Sequence, residues 1–118
     1  MKREIKFRQA IFTDGKFSRF RYWGFLENGF SSPVDGGDGV LESQQFTGLT
    51  RNGIEIYEGD ILQYFSHQLQ VVWNDEHYCY AGKDLQSGYT SDLAALSFSR
   101  FEVIGNIYEN PELLEAKP

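Results

Sequence analysis

Gln45-Phe46-Thr47-Gly48-Leu49-Thr50-Arg51-Asn52-Gly53-Ile54-Glu55-Ile56-Tyr57-Glu58-Gly59-Asp60-Ile61-Leu62 carries more structural information than any other stretch of the chain. Asn52-Gly53 is the pair a two-residue type I′ turn requires, because both central positions need positive φ, and apolar residues flank it on both sides. Glu58-Gly59-Asp60 then breaks the alternation just before Ile61-Leu62, as a bulge or corner in a curling sheet would. Asn52, Gly53, Glu58, Gly59 and Asp60 therefore form an expected structural turn motif.

Downstream, Leu69–Trp73 alternates as a strand, and Asn74–His77 makes a turn before Tyr78-Cys79-Tyr80. Ser91–Leu96 predicts a short helix capped by Ser91, with Asp92 in its first turn. Phe101–Tyr108 predicts a last strand kinked at Gly105, and Asn110-Pro111 opens a terminal helical turn. Short strands with glycine corners point to a small barrel over 45–110, followed by a helical turn and tail at 111–118. Ile56, Ile61, Val71, Trp73, Val103, Ile104 and Ile107 are its expected core.

Upstream, residues 1–44 read as a hairpin and a mobile loop. Ile5, Phe7 and Ile11 recur at period two, and Asp14-Gly15 supplies a second type I′ turn. Pairing Thr13 with Lys16 sets Arg8 opposite Arg21. Ile5, Phe7, Ile11, Phe20 and Tyr22 then share one face. Lys6, Arg8, Arg19 and Arg21 share the other, flanked by Phe12, Phe17 and Trp23. Like charges facing each other destabilise a hairpin unless something anionic lies across them. Ser31-Ser32-Pro33 and Asp35-Gly36-Gly37-Asp38-Gly39 read as plain loop, because neither phosphate-loop nor calcium-loop spacing is present.

With 118 residues, 41% of them hydrophobic, the chain can build one core and reads as a single domain, mainly β or α+β. Ten Phe and seven Tyr favour sheet. No apolar run is long enough to span a membrane and no secretory leader is visible, so the expected compartment is the cytoplasm. The net charge of −6 hides an asymmetry. Residues 1–23 hold seven Lys or Arg against two acidic side chains, and residues 24–118 hold four against fifteen, giving +5 and −11. An acidic body argues against indiscriminate nucleic-acid binding.

No catalytic residue, cofactor motif or metal site is expected. His67, His77, Asp75, Glu76 and Cys79 lie close together in sequence, but their spacing matches no common zinc site, and one cysteine excludes an internal disulfide. Cys79 and His77, two apart on a strand, do not form a nucleophile pair. Glu55, Glu58 and Asp60 could in principle serve hydrolysis, yet acidic side chains beside a glycine corner more commonly cap turn N–H groups.

Three blocks carry a resemblance. Arg3–Arg8, Gln45–Leu62 and Phe101–Leu114, in that order, resemble the YopX family of phage and prophage proteins. The resemblance implies a small SH3-like β-barrel in the second half with an additional portion before it, a tendency to homo-oligomerise, and no established activity or catalytic residues. The expected function is that of a phage accessory protein acting as an oligomerising protein-interaction module toward a phage or host protein. The alternative is a nucleic-acid-binding barrel using the basic hairpin, whose Lys6, Arg8, Arg19 and Arg21 would grip phosphates while Phe12, Phe17 or Trp23 stack on bases.

Overall fold

The structure is a computed structural model describing residues 5–27, 29–33, 42–96 and 101–114. The glycine-rich stretch Asp35–Gly39 lies outside the described residues. Among the described residues ten strands run β1 (Lys6–Thr13), β2 (Lys16–Leu26), β3 (Gly29–Ser31), β4 (Gln44–Arg51), β5 (Ile54–Tyr57), β6 (Asp60–Tyr64), β7 (His67–Asn74), β8 (Cys79–Asp84), β9 (Thr90–Asp92) and β10 (Phe101–Asn106). All pairings are antiparallel, in two five-stranded sheets ordered β3-β2-β1-β4-β5 and β10-β6-β7-β8-β9.

Neither sheet closes into a barrel among the described residues. The expectation of a self-contained barrel over 45–110 is corrected by β4, which pairs with β1 through Phe7↔Gln45 and Arg8↔Gln44 and so carries β5 into the N-terminal sheet. Gly59 joins the sheets. Its N–H donates to Val71 and its carbonyl accepts from Ile107, and at φ +88° glycine makes the corner without strain.

Asp14-Gly15 and Asn52-Gly53 both turn with positive φ at each central residue, at 52° and 77° and at 53° and 78°. Beyond the first turn the expected register fails. Thr13↔Lys16 and Phe12↔Phe17 hold, but Ser18 is an extra residue, and the pairing resumes at Ile11↔Arg19, Gln9↔Arg21 and Arg8↔Tyr22. One bulged residue exchanges the two faces of everything beyond it. Arg8 therefore stands opposite Tyr22 and shares a face with Phe20, while Arg19 and Arg21 lie on the other face. The four cations do not form one stripe.

The second sheet packs on Ile56, Leu62, Leu69, Val71, Leu93, Leu96 and Phe101, with Leu49, Tyr64, Tyr80 and Val103 around them. Ile61 is fully buried and Ile107 half-buried, but Trp73 and Ile104 are 45% and 38% exposed and leave the expected core. Trp73 follows Leu69 and Val71 on the core face of β7 but stands beyond the end of the core, edge-on against Tyr80. The helix expected at 91–96 is shorter. Thr90–Asp92 pairs with β8, and only Leu93–Ala95 turns, as 3-10, with no side-chain cap. The turn at Pro111–Leu114 is likewise 3-10. The stretch read as loop after residue 27 begins with β3, which adds to β2.

Candidate functional site

Where the sheets meet, the shifted register delivers Arg8 to the interior. Its side chain is almost fully buried, with the guanidinium carbon 4.0 Å from the Phe20 ring centre and 4.7 Å from that of Tyr57. Nη2 donates to Asp60 Oδ1 at 2.6 Å and toward the Glu58 carbonyl at 3.4 Å, and Nε donates to Gln44 Oε1 at 2.7 Å. Phe20 comes from β2, Tyr57 from β5 and Asp60 from the start of β6, so one cation ties both sheets together. Gly59 makes room for this. A Cβ there would stand 2.0 Å from Gln44 Nε2, displacing the amide that holds Arg8.

Asp60 Oδ2 also accepts the Tyr57 N–H at 2.8 Å. Burial nevertheless raises the Asp60 pKa above the ordinary carboxylate value, outweighing the opposing pull of Arg8 and of that N–H. Tyr57 donates its hydroxyl to Glu55 Oε1 at 3.1 Å, and Glu55 Oε2 pairs with Lys6, whose ammonium lies over the Phe46 ring. Burial, then the Glu55 charge, pushes the Tyr57 hydroxyl far up, so it stays a donor. Tyr22 packs 5.7 Å from Tyr57 and is raised mainly by burial.

These groups form the wall of a cleft of about 570 Å³, bounded by Ile54, Glu55 and Tyr57 of β5 on one side and Val103, Gly105 and Asn106 of β10 on the other. Glu109 sits at its rim, its Oε1 accepting from Asn106 Nδ2 at 3.2 Å, and Asn106 Oδ1 caps the N–H groups of Tyr108 and Glu109. Asp60, Glu55 and Glu109 each already hold a protein donor, and none stands beside a nucleophile. The arrangement suits recognition of a polar or cationic group against aromatic rings.

The remaining sequence-derived residues are dispersed. Arg21 crosses to β3 and beyond, donating to the Ser32 carbonyl at 2.7 Å and toward Ser31 Oγ at 3.4 Å, and Arg19 is exposed. Trp23 stacks on Phe7 at 4.2 Å and donates to Ser43 Oγ at 2.9 Å. Phe12 meets Phe17 and Tyr108 edge-on, and Phe17 meets Phe20, extending the ring cluster from the cleft toward the hairpin tip. Gln44, Tyr22, Asn106 and Glu109 escape sequence reasoning because each acts through a partner more than thirty residues away or through a local turn. At the far end of the second sheet, His77 Nδ1 lies 3.0 Å from Asp92 Oδ1, a partner from β9 that the 75–79 stretch does not reveal. Among the described residues no group of three or more His, Cys, Asp or Glu could hold a metal ion.

Fold and site together define a small antiparallel two-sheet β protein with a polar and aromatic cleft between its sheets. The family model described as YopX protein matches residues 8–115, and the chain belongs to the YopX family. The crystal structure of protein EF1440 from Enterococcus faecalis is similar to it, with a TM-score of 0.52 at 25% identity over 94% of this chain and 98% of that one. No curated protein matches the sequence significantly. No helix among the described residues is long and apolar enough to cross a membrane.

Proposed function

We propose that the chain is a non-enzymatic protein-interaction module of phage or prophage origin that works in the bacterial cytoplasm and receives a partner protein in the cleft between its sheets. The observation that carries this reading is the commitment of the site's charges. Arg8, Lys6, Asp60 and Glu55 are tied into one another and into aromatic rings, which builds a rigid recognition wall and leaves no activated nucleophile or base. The bent path from β5 through Gly59 into β6 supports reading the second half as an open relative of the SH3-like barrel.

The test is site-specific photo-crosslinking in phage-infected cells. A crosslinker at Ile54, on the cleft wall and exposed, should capture a discrete protein that nuclease treatment leaves in place. The same group at Arg19, on the opposite face, should not. Nucleic-acid adducts at Arg19 with none at Ile54 would overturn the reading in favour of nucleic-acid binding, whose basic stripe the register shift divides between two faces.

Self-association is a second reading, favoured by the outer edge of the first sheet. Phe25 and Phe30 pack ring to ring at 5.3 Å, yet both are more than 60% exposed, on the strand pair that ends the sheet. A second copy covering this edge would leave the cleft open. Phe25→Ser with Phe30→Ser should then move the sedimentation profile to monomer, and a wild type already monomeric at micromolar concentration removes the reading.

A further inference from the structure

Among the described residues β5 and β10 are both terminal strands, each with a ladder partner on one side only, and both border the cleft. Backbone geometry says which groups face it. Arg51↔Ile54 closes a two-residue hairpin and exchanges hydrogen bonds, so the N–H and C=O of Glu55, next along β5, point away from β4. On β10, the Phe101 carbonyl accepts from Arg51 Nε at 2.9 Å, across from β6. Two residues on, before the register shift, Val103 presents its backbone groups in the same direction. Two strand edges thus flank one cleft.

The wall between them also has an unused donor. Arg8 Nη1 has no hydrogen-bond partner among the described residues, and Arg8 lines the cleft, so its guanidinium can offer a donor there. Three carboxylates face the same space; Arg8 answers Asp60 and Lys6 answers Glu55, so the negative charge left over is that of Glu109 at the rim, with the half-exposed Tyr22 ring on the same wall. Donors and acceptors on the edges with an excess of negative charge match an extended polypeptide carrying basic side chains.

We propose that the cleft binds an extended basic segment of a partner protein by strand addition along the edge of β5. This rests on the cleft being the site of partner binding. The segment's backbone bonds to Glu55, one of its carbonyls accepts from Arg8 Nη1, and alternate side chains point out to Glu109 and in to Ile54 and Val103. Main-chain bonding supplies affinity, and the rim carboxylate selects the charge.

Three acetylated, amidated hexapeptides test this by amide shift mapping and titration: alternating lysine and valine, alternating glutamate and valine, and the lysine–valine peptide N-methylated at each valine. The lysine–valine peptide should bind with shifts centred on Glu55 and Val103, and both others should bind at least tenfold more weakly. Glu109→Lys should weaken it at least fivefold, and Glu109→Gln, which keeps an acceptor for Asn106, about twofold to threefold. Equal binding of the N-methylated peptide would overturn strand addition, and equal binding of the glutamate peptide would overturn charge selection. Absence of binding by all three overturns the proposal. A protein crosslinked at Ile54 in that case leaves the cleft as the partner site and rejects only the basic strand.

Discussion

The two sheets are held by different physics. The second supplies six of the seven side chains of the buried apolar core, Leu62 to Phe101, with Ile56 of β5 joining them, and the cohesion of such a core is non-directional and shared over many contacts. The first buries Arg8 and Gln44 where its strands approach Asp60, and adds hydrogen bonds and ring stacking to the apolar burial of Ala10, Phe46, Ile56 and Tyr57. A sheet of the first kind tolerates volume-conserving change. One of the second kind depends on its buried carboxylate and amide keeping their charged partner.

The sharpest way to break this comparison is Arg8→Met. It leaves Asp60 buried without its cation, and loss of one member of a buried pair costs about 3–5 kcal/mol. Arg8→Met with Asp60→Leu should recover most of that, since a well-packed apolar pair is often as stable as the ion pair it replaces. Urea denaturation of the four corners measures the coupling, and a single-mutant cost below about 1 kcal/mol would abolish the distinction between the sheets. The pH profile carries the same information. Because the folded-state pKa of Asp60 lies above its ordinary value, the folded protein holds more protons than the unfolded one in the window between the two. The Asp60 contribution to stability therefore falls as pH rises through that window. Removing Arg8 takes away a charge that opposes burial, so the window should widen upward in denaturation series from pH 4 to 8.

Leu62→Ala probes the other sheet. Leu62 is fully buried, and its truncation should cost about 3 kcal/mol through lost transfer energy and the cavity left behind. Leu62→Met, which conserves volume, should cost less than about 1.5 kcal/mol. No single aliphatic substitution should uncouple the sheets, so near-ultraviolet circular dichroism of the Tyr22–Tyr57 cluster is expected to survive Leu62→Ala and to be lost in Arg8→Met.

Gly59→Ala falls between the two regimes. It places a Cβ at a strained positive φ and against Gln44, for a cost of about 2 kcal/mol. In a Gln44→Ala background the clash disappears and only the strain remains, so the two costs should be less than additive.

The same division explains what could be read in the sequence. Asp14-Gly15, Asn52-Gly53 and the Gly59 corner were legible because turn chemistry is local, needing positive φ at named residues. Ile56, Ile61 and Val71 were legible because period-two hydropathy marks a buried face. The bulge at Ser18 has no such signature. Phe17-Ser18-Arg19-Phe20 alternates acceptably in either register, and what selects the observed one is Asp60, about forty residues downstream, waiting for a cation. Hydropathy placed Arg8 outside for the same reason. Ile104 failed because β10 carries apolar residues on both faces and Phe101 and Val103 take the core side, and Trp73 failed because it lies on the core face but past the end of the core, which hydropathy does not mark.

The smallest expected effect contrasts the buried ion pair with an exposed one. His77 and Asp92 meet at 3.0 Å at the far end of the second sheet, where solvent surrounds both. The hydrogen bond to Asp92, and then its charge, raises the His77 pKa above 6.5, while the bond to His77 lowers that of Asp92. The raised His77 value means the pair's contribution is complete below pH 6.5 and is lost as pH rises through the folded-state pKa. The lowered Asp92 value means it is lost again as pH falls through that carboxylate's depressed titration. Stability should respond little in between, because exposed pairs are screened by water and salt. The titration itself is the sensitive readout. The His77 Cε1–H resonance should move with a midpoint above 6.5, and Asp92→Asn should return it toward that value without altering the urea midpoint. If Asp92→Asn destabilised the protein as Arg8→Met is expected to, directional polar contacts would hold the second sheet as well, and the contrast between the sheets would not stand.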